Sequence, residues 1–487
     1  MRKTMTCTCL AVLLAVPSFC QSPANAEEDS LRQLRDTVAT LQQVRDELRQ
    51  TRLEMDELRK EVANLRSDLK GQQPSGPPVA TGERIEKLEE EQQIQSSRLE
   101  QQYQTKVESG SKYRVRLSGL VLFNGSINRG SVNDQDVPNL ALTTPAGASG
   151  GNISASLRQT LLTLEVSGPR FAGARTSARA TFDFFGGFAQ TLDGTTLGLA
   201  RLRTARAEFA WKNWDLTVGQ DQPFISPRNP SSLASVAIPA LGYSGNLWTW
   251  TPQVVVRRRW NFTERAGSTT EFGILDPLAG NFPSSEYSRQ PGAGERSRVP
   301  AIAFRQAFSK RLRDEDAQFG VGGYYARHDY GYQRNADAWA ATLDWSLPVS
   351  SWFQWSGEVF RGRALGGMWG GVGTSIVYTD YPSNPTTRVV PVEAVGGWTQ
   401  LKFKPRQNLE FNAAFGQDNP FANDLRQQGV TATFSPILRN QTAIVNVIQR
   451  LRSNLLLSLE YRHLNSNSLS GNRNTAEHLN AAVGVEF

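Results

Sequence analysis

The chain has 487 residues and a mass of 53.8 kDa, too large for one compact core and suited to two or three units. Apolar residues make up 39%, mean hydropathy is −0.42, and no stretch beyond the N-terminal leader approaches the ~20 apolar residues of a spanning helix, so a polytopic helical membrane protein is excluded. The net charge of +7 is unevenly placed: residues 27–112 hold 14 basic and 18 acidic side chains, whereas 113–487 hold 37 and 28, and 33 of those 37 are arginines.

Arg2 and Lys3 precede an apolar run from Leu10 to Val16, and Ala24-Asn25-Ala26 gives a small-x-small cleavage pattern. Residues 1–26 are therefore predicted to be a signal peptide. Cys7, Cys9 and Cys20 all lie within it, and bulky Phe19 with Pro17 speaks against Cys20 as an acylation site. Cleavage after Ala26 would leave a mature chain without cysteine, which excludes disulfides, thiolate metal sites and cysteine nucleophiles.

From Leu34 a seven-residue repeat runs through Leu41, Leu48, Met55, Val62 and Leu69, with Thr37, Val44, Thr51, Leu58 and Leu65 three residues on. Such a narrow seam predicts an α-helical coiled coil over 27–70 that pairs with copies of itself. Residues 71–82 (GQQPSGPPVATG) break the helix with three prolines and form a linker. A second helical stalk segment is predicted over 83–111, with Ile85, Leu88 and Leu99 on a weaker seam.

At Tyr113 the period changes to two. Tyr113, Val115, Leu117, Gly119, Val121 and Phe123 share one face against Arg114, Arg116 and Ser118. The alternation returns in Ala178–Phe184, Ala205–Trp211, Trp339–Leu347 and Leu455–Tyr461. A soluble sandwich also alternates, but two features favour a transmembrane barrel over 112–487. Apolar faces end repeatedly in aromatics (Phe209, Trp211, Trp345, Phe353, Trp355 and Tyr461), as where strands meet lipid headgroups. Connections also alternate: short near Gly168–Gly173, Lys212–Asn213, Thr263–Gly267, Lys310–Asp314, Pro348–Ser351, Pro405–Gln407 and Arg452–Ser453; long near Asn124–Ser154, Gly186–Ala200, Gln222–Leu247, Pro277–Ser297, Asp329–Arg334, Ala364–Val395, Asp418–Leu438 and Asn465–Ala476. Short periplasmic turns and long outer loops are the barrel signature. These connections give an all-β barrel of about 16 antiparallel strands, with 14 or 18 left open. The last strand alternates Leu479, Ala481, Val483, Val485 and Phe487 with polar and small residues and ends the chain on phenylalanine.

Leader, coiled coil, arginine-rich barrel and terminal Phe487 together resemble the DcaP-like trimeric porins, with the phosphate-selective porins as near relatives. Leu216-Thr217-Val218-Gly219-Gln220, the run Gly357–Gly367 (GEVFRGRALGG) and Gly396-Gly397-Trp398-Thr399-Gln400 are similar local motifs. The resemblance implies an outer-membrane location in a Gram-negative-type bacterium, with the arm in the periplasm. It also implies a homotrimer, recognition of Phe487 by the barrel-assembly machinery, and passage of small anionic solutes. Phosphate-selective porins carry lysine-rich ladders, whereas this body has only Lys212, Lys310, Lys402 and Lys404.

By parity Arg114, Arg116, Arg179, Arg206, Arg257, Arg259 and Arg462 point inward, where charge sets which ions pass, and guanidinium grips carboxylate or phosphate with paired donors. Glu165, Asp183, Glu208, Asp344, Glu358, Glu410 and Glu460 are inward acids able to pair with several of them. The long connection Gln222–Leu247, with Arg228 its only charge, is a candidate constriction loop; an outer cap is the other reading. Arginines at the rims could instead meet membrane lipid and lipopolysaccharide phosphates. With His328, His463 and His478 the only histidines, there is no His-x-x-x-His, no Gly-x-Ser-x-Gly and no phosphate-cradling glycine loop, hence no expected cofactor, metal site or enzyme activity. Basic residues alternate through strands without forming a patch or tail, so no nucleic-acid partner is expected. An envelope scaffold and, further off, a barrel enzyme are the alternatives to a pore.

Overall fold

The computed structural model describes residues 114–188, 198–280, 289–312, 315–429 and 436–487. The expected signal peptide, coiled coil, linker and stalk lie outside the described residues. In chain order the wall strands are β1 (Arg114–Arg129), β2 (Gly151–Ser156 and Leu161–Ser167, one strand broken at 157–160), β3 (Arg175–Asp183), β4 (Arg201–Ala210), β5 (Trp214–Asp221), β6 (Thr251–Thr263), β7 (Ala266–Leu275) and β8 (Ala301–Leu312). They continue as β9 (Glu315–Asp329), β10 (Asn335–Ser350), β11 (Phe353–Arg363), β12 (Glu393–Arg406), β13 (Leu409–Pro420), β14 (Ile437–Arg450), β15 (Leu455–Ser468) and β16 (Arg473–Glu486).

Every strand pairs antiparallel with its chain neighbours, and β1 pairs with β16 on one side and both halves of β2 on the other. The sheet is therefore a closed barrel of sixteen strands, with no free edge to satisfy. Of the open counts, 14 and 18 fall away: Ile376–Tyr378 and Val389–Pro391 pair only with each other inside one long loop.

The alternation is that of a soluble protein turned inside out. On β1, Leu117, Val121, Phe123 and Ile127 are exposed while Asn124, Ser126 and Asn128 are buried. The outer face continues with Phe272, Phe304, Phe319, Phe411, Leu459 and Val483, and the inner one with Glu271, Arg305, Asp344, Asn412, Glu460 and Asn480. An apolar outer wall over a polar lumen is what a bilayer selects. At the seam, Gly119 and Phe487 exchange backbone hydrogen bonds of 2.9 and 3.1 Å. Any Cβ on Gly119 would lie 2.7 Å from the Phe487 ring and 2.5 Å from the Leu161 carbonyl, so only glycine admits the terminal aromatic there.

Two connections differ from expectation. β15 and β16 stay paired as far as Asn467 and Arg473, so the connection expected over Asn465–Ala476 is only the turn 469–472. The first loop likewise begins after Arg129, because Asn124–Arg129 pairs with Gly151–Ser156. At these outer ends polar residues such as Asn465, Asn467 and Asn474 occupy both faces. Where both faces are wet the apolar rhythm stops, but the hydrogen-bond ladder does not.

The apolar core sits inside the barrel. Phe224, Ile225, Leu247, Leu365 and Met368 from inward loops pack on Ala301, Ala303, Ala326, Ala338 and Ala340 of β8–β10. Small inner-face side chains leave room for this filling.

Candidate functional site

The loop from Gln222 to Trp250, between β5 and β6, folds into the lumen. Thr342 on β10 donates to the Ile225 carbonyl at 2.8 Å. The Arg228 backbone N–H donates to Glu358 at 2.7 Å, and its guanidinium reaches Asp344 at 2.9 Å and the Gln318 side chain. The Ser231 N–H donates to Gln400 at 2.6 Å, Asn446 donates to the Ser231 carbonyl at 2.8 Å, and Ser232 donates to Glu460. Gln159, in the break of β2, accepts from the N–H groups of Val236 and Ala237 at 2.8 and 3.0 Å. The loop thus touches walls on opposite sides of the barrel. Asp344, Glu358, Gln400 and Glu460 lie well inside their strands, so contact is made at depth. Of the two readings, outer cap and inward loop, the structure shows the inward one.

Backbone shape lets the loop lie flat. A Cβ on Gly416 of β13 would meet the Ser244 carbonyl at 2.1 Å. Gly245 has φ +90°, and its own Cβ would lie 2.3 Å from the Gly397 backbone of β12. From the loop 364–392, Trp369 stacks on Tyr243 with ring centroids 4.0 Å apart. Burial in that contact pushes the Tyr243 hydroxyl above its ordinary range.

The arginines expected on the inner face separate into three kinds. Arg179 pairs with Glu165 at 3.3 Å, Arg206 with Glu208 at 2.6 Å and with Asp221, Arg257 with Glu271 at 2.8 Å, and Arg259 with Asp215. Their side chains remain 26–47% exposed, so the guanidinium groups still front water. Arg462 is fully buried instead: it donates to the Pro138 carbonyl, Ser235 Oγ and Glu460 at 2.9, 2.7 and 2.6 Å. It pins two loops to β15 and presents no free donor face to a solute. Arg114 and Arg116, at the turn end of β1, are exposed and have no ion pair among the described residues. Arg228, the constriction-loop candidate, is tied to Asp344.

Several ion-paired cations escaped the sequence reading. Arg305 of β8 is a buried, doubly paired cation near the loop, donating to Asp344 at 2.9 Å and Glu271 at 2.7 Å. Ile302, Phe304 and Phe308, exposed on its own strand, were the signal that would have turned it inward. Arg201 holds Asp183 at 2.7 and 3.0 Å, and Arg158 holds Asp136 at 2.8 Å. Lys402 sits 3.5 Å from Glu410.

What the loops leave open is polar. A cavity of about 420 Å³ is lined by Asp221, Pro227, Arg257, Glu271, Arg305 and Gln318, between the loop and the β5–β9 wall. Among the described residues no group of His, Cys, Asp and Glu could hold a metal ion.

No family model matches the chain. No curated protein matches it either. Among solved structures, the outer membrane channel DcaP of Acinetobacter baumannii is similar at 14% sequence identity and TM-score 0.58, covering 77% of this chain and 99% of that one. An anion-selective porin from Comamonas acidovorans aligns at 10% identity and TM-score 0.48, covering 77% and 100%. OprB of Pseudomonas putida aligns at 9% and 0.47, covering 81% and 97%. At such identities the likeness is one of fold, and the barrel found here is the one that the sequence resemblance to the DcaP-like porins implied.

Proposed function

We propose that the chain is an outer-membrane porin, a passive diffusion channel for small hydrophilic solutes with a preference for anions such as organic acids. The observation that carries the reading is the row Arg179, Arg206, Arg257 and Arg259, half-exposed on one inner wall, beside a cavity opposite a loop whose only charge is already tied. A sixteen-stranded barrel is wide enough to keep an aqueous path once a loop has narrowed it. Paired guanidiniums retain unused N–H donors, and unpaired Arg114 and Arg116 add positive potential at the turn end. Low-dielectric walls concentrate anions in such a field.

Assembly as a homotrimer belongs to the same reading. The outer face of β3 and β4 is flat and small, with Ala178, Ala180, Ala205 and Ala207 side by side between Leu164 and Val218. That surface supports close approach of a second barrel, and the heptads of 27–70 support joined periplasmic arms. Phe487 at the seam supports recognition by the assembly machinery, with lipopolysaccharide and phospholipid as the surrounding partners.

The experiment is reconstitution into planar bilayers, with the reversal potential read across a salt gradient. The expected outcome is stepwise conductance with an anion-selective potential, reduced when Arg179, Arg206, Arg257 and Arg259 are changed together to glutamine. Insertion without conductance would favour a scaffold, and cation selectivity would overturn the anion preference. Mass measurement of the detergent-solubilised protein should return three chains.

A further inference from the structure

Arg258 stands between Arg257 and Arg259 and faces the opposite way. On β6, Val254, Val256, Trp260 and Phe262 are exposed on the outer wall while Val255 is buried inside, and strand parity puts Arg258 with the outer set. Its inward neighbours each hold a carboxylate. Arg258 has no ion-pair partner among the described residues, and its Nε is buried without an acceptor. An unpaired guanidinium on a lipid-facing wall is costly unless an anion meets it.

The surroundings say at what depth. Arg258 lies directly opposite Trp214, the first residue of β5 after the turn 211–213, so it sits at the turn end of that part of the wall. Its guanidinium carbon is 4.4 Å from the Trp214 ring centroid and 4.6 Å from that of Trp260. Indoles of this kind mark the headgroup level of a bilayer. Along the same row Trp260 Nε1 donates to Thr270 Oγ1 at 3.1 Å, and Thr270 donates to Gln306 Oε1 at 2.6 Å. That chain fixes the Trp260 ring and leaves the Gln306 amide N–H groups free to donate. Beyond it the wall is bulky and apolar, with Phe272, Phe308, Phe319 and Val321 exposed.

We propose that Arg258, clasped by Trp214 and Trp260, binds the phosphate of an anionic phospholipid headgroup on the barrel's outer wall at its turn-end rim. The guanidinium supplies the charge and the forked donors, the indoles hold it extended, and acyl chains lie along the Phe272–Phe319 surface. The site does not depend on what passes through the lumen.

The test uses full-length protein in nanodiscs of phosphatidylcholine doped with phosphatidylglycerol, then native mass spectrometry of the released complex. Wild type is expected to retain phosphatidylglycerol in preference to phosphatidylcholine, and Arg258→Gln to retain it about tenfold less, as loss of a charged hydrogen bond implies. Arg258→Lys, which keeps the charge but loses the stacked fork, should fall between them. Equal retention by wild type and Arg258→Gln overturns the proposal. So does a loss of oligomer mass in Arg258→Gln with lipid retention unchanged, which would place the residue against another copy of the chain. Heat-modifiable gel mobility identifies unfolded variants; should Arg258→Gln be one, Trp260→Phe, which keeps the charge but breaks the link to Thr270, should still lower retention, and unchanged retention there also overturns the site.

Discussion

The wall of β3, β4 and β5 is 8–10 residues tall, and the wall of β12, β14 and β15 is 14. Both cross one membrane, for which about 9–11 residues suffice. The tall side is the one that holds the inward loop at mid-wall. Gln400, Asn412 and Asn446 form a chain of amide hydrogen bonds at 3.2 and 2.9 Å and pass on to Ser231. The short side carries arginine–carboxylate pairs that stay wet. One wall fixes the shape of the opening with amide bonds and one buried ion pair, Arg462 with Glu460, and the other presents half-exposed ion pairs to water.

Arg305 marks the boundary and should show the largest effect. Arg305→Leu removes one of the two arginines that hold each of the buried carboxylates Glu271 and Asp344, leaving them Arg257 and Arg228, and costs about 2–3 kcal/mol in lost charged hydrogen bonds; thermal unfolding in detergent should shift accordingly. Arg206→Gln, on the wet wall, should cost no more than about 1 kcal/mol. Equal losses would erase the contrast between the walls.

Ion selectivity sharpens it next. Arg206→Gln with Arg257→Gln should move the reversal potential toward neutral. Gln400→Ala with Asn412→Ala should leave it in place and raise current noise, because Ser231 keeps only the bond from Asn446 to its carbonyl. A Gly416→Val change pushes the Ser244 backbone off the tall wall, with about 1–3 kcal/mol of overpacking. Single-channel conductance should change there and ion preference should not. The smallest effect is expected from Arg114→Gln with Arg116→Gln: a slight drop in anion preference and no measurable change in unfolding temperature.

Local pattern carried the wall and little of its filling. The alternation through Val254–Phe262 placed Arg257 and Arg259 inward because a two-residue period leaves no choice once Val254 and Val256 face lipid. The same rule turned Arg462 inward, yet its complete burial depends on Pro138 and Ser235, which arrive from loops far away in the chain. Arg305 was missed because Ala301, Ala303 and Ala307, the small residues beside it, look apolar although they face the lumen. Their role appears only when Phe224, Ile225 and Met368 are seen packed against that face. The inward course of Gln222–Trp250 is set by single hydrogen bonds to many strands, and no period records such bonds.

The seam between Gly119 and Phe487 has a kinetic meaning. Ring closure joins the first described strand to the last residue of the chain, the longest-range pairing available to the barrel, and such pairings form slowly. Until it forms, both β1 and β16 offer unpaired backbone groups that lipid cannot satisfy. A partly threaded barrel is therefore not a stable resting state in a bilayer. The chain has to be kept from pairing with others until β16 meets β1, and insertion becomes an event of the whole wall at once.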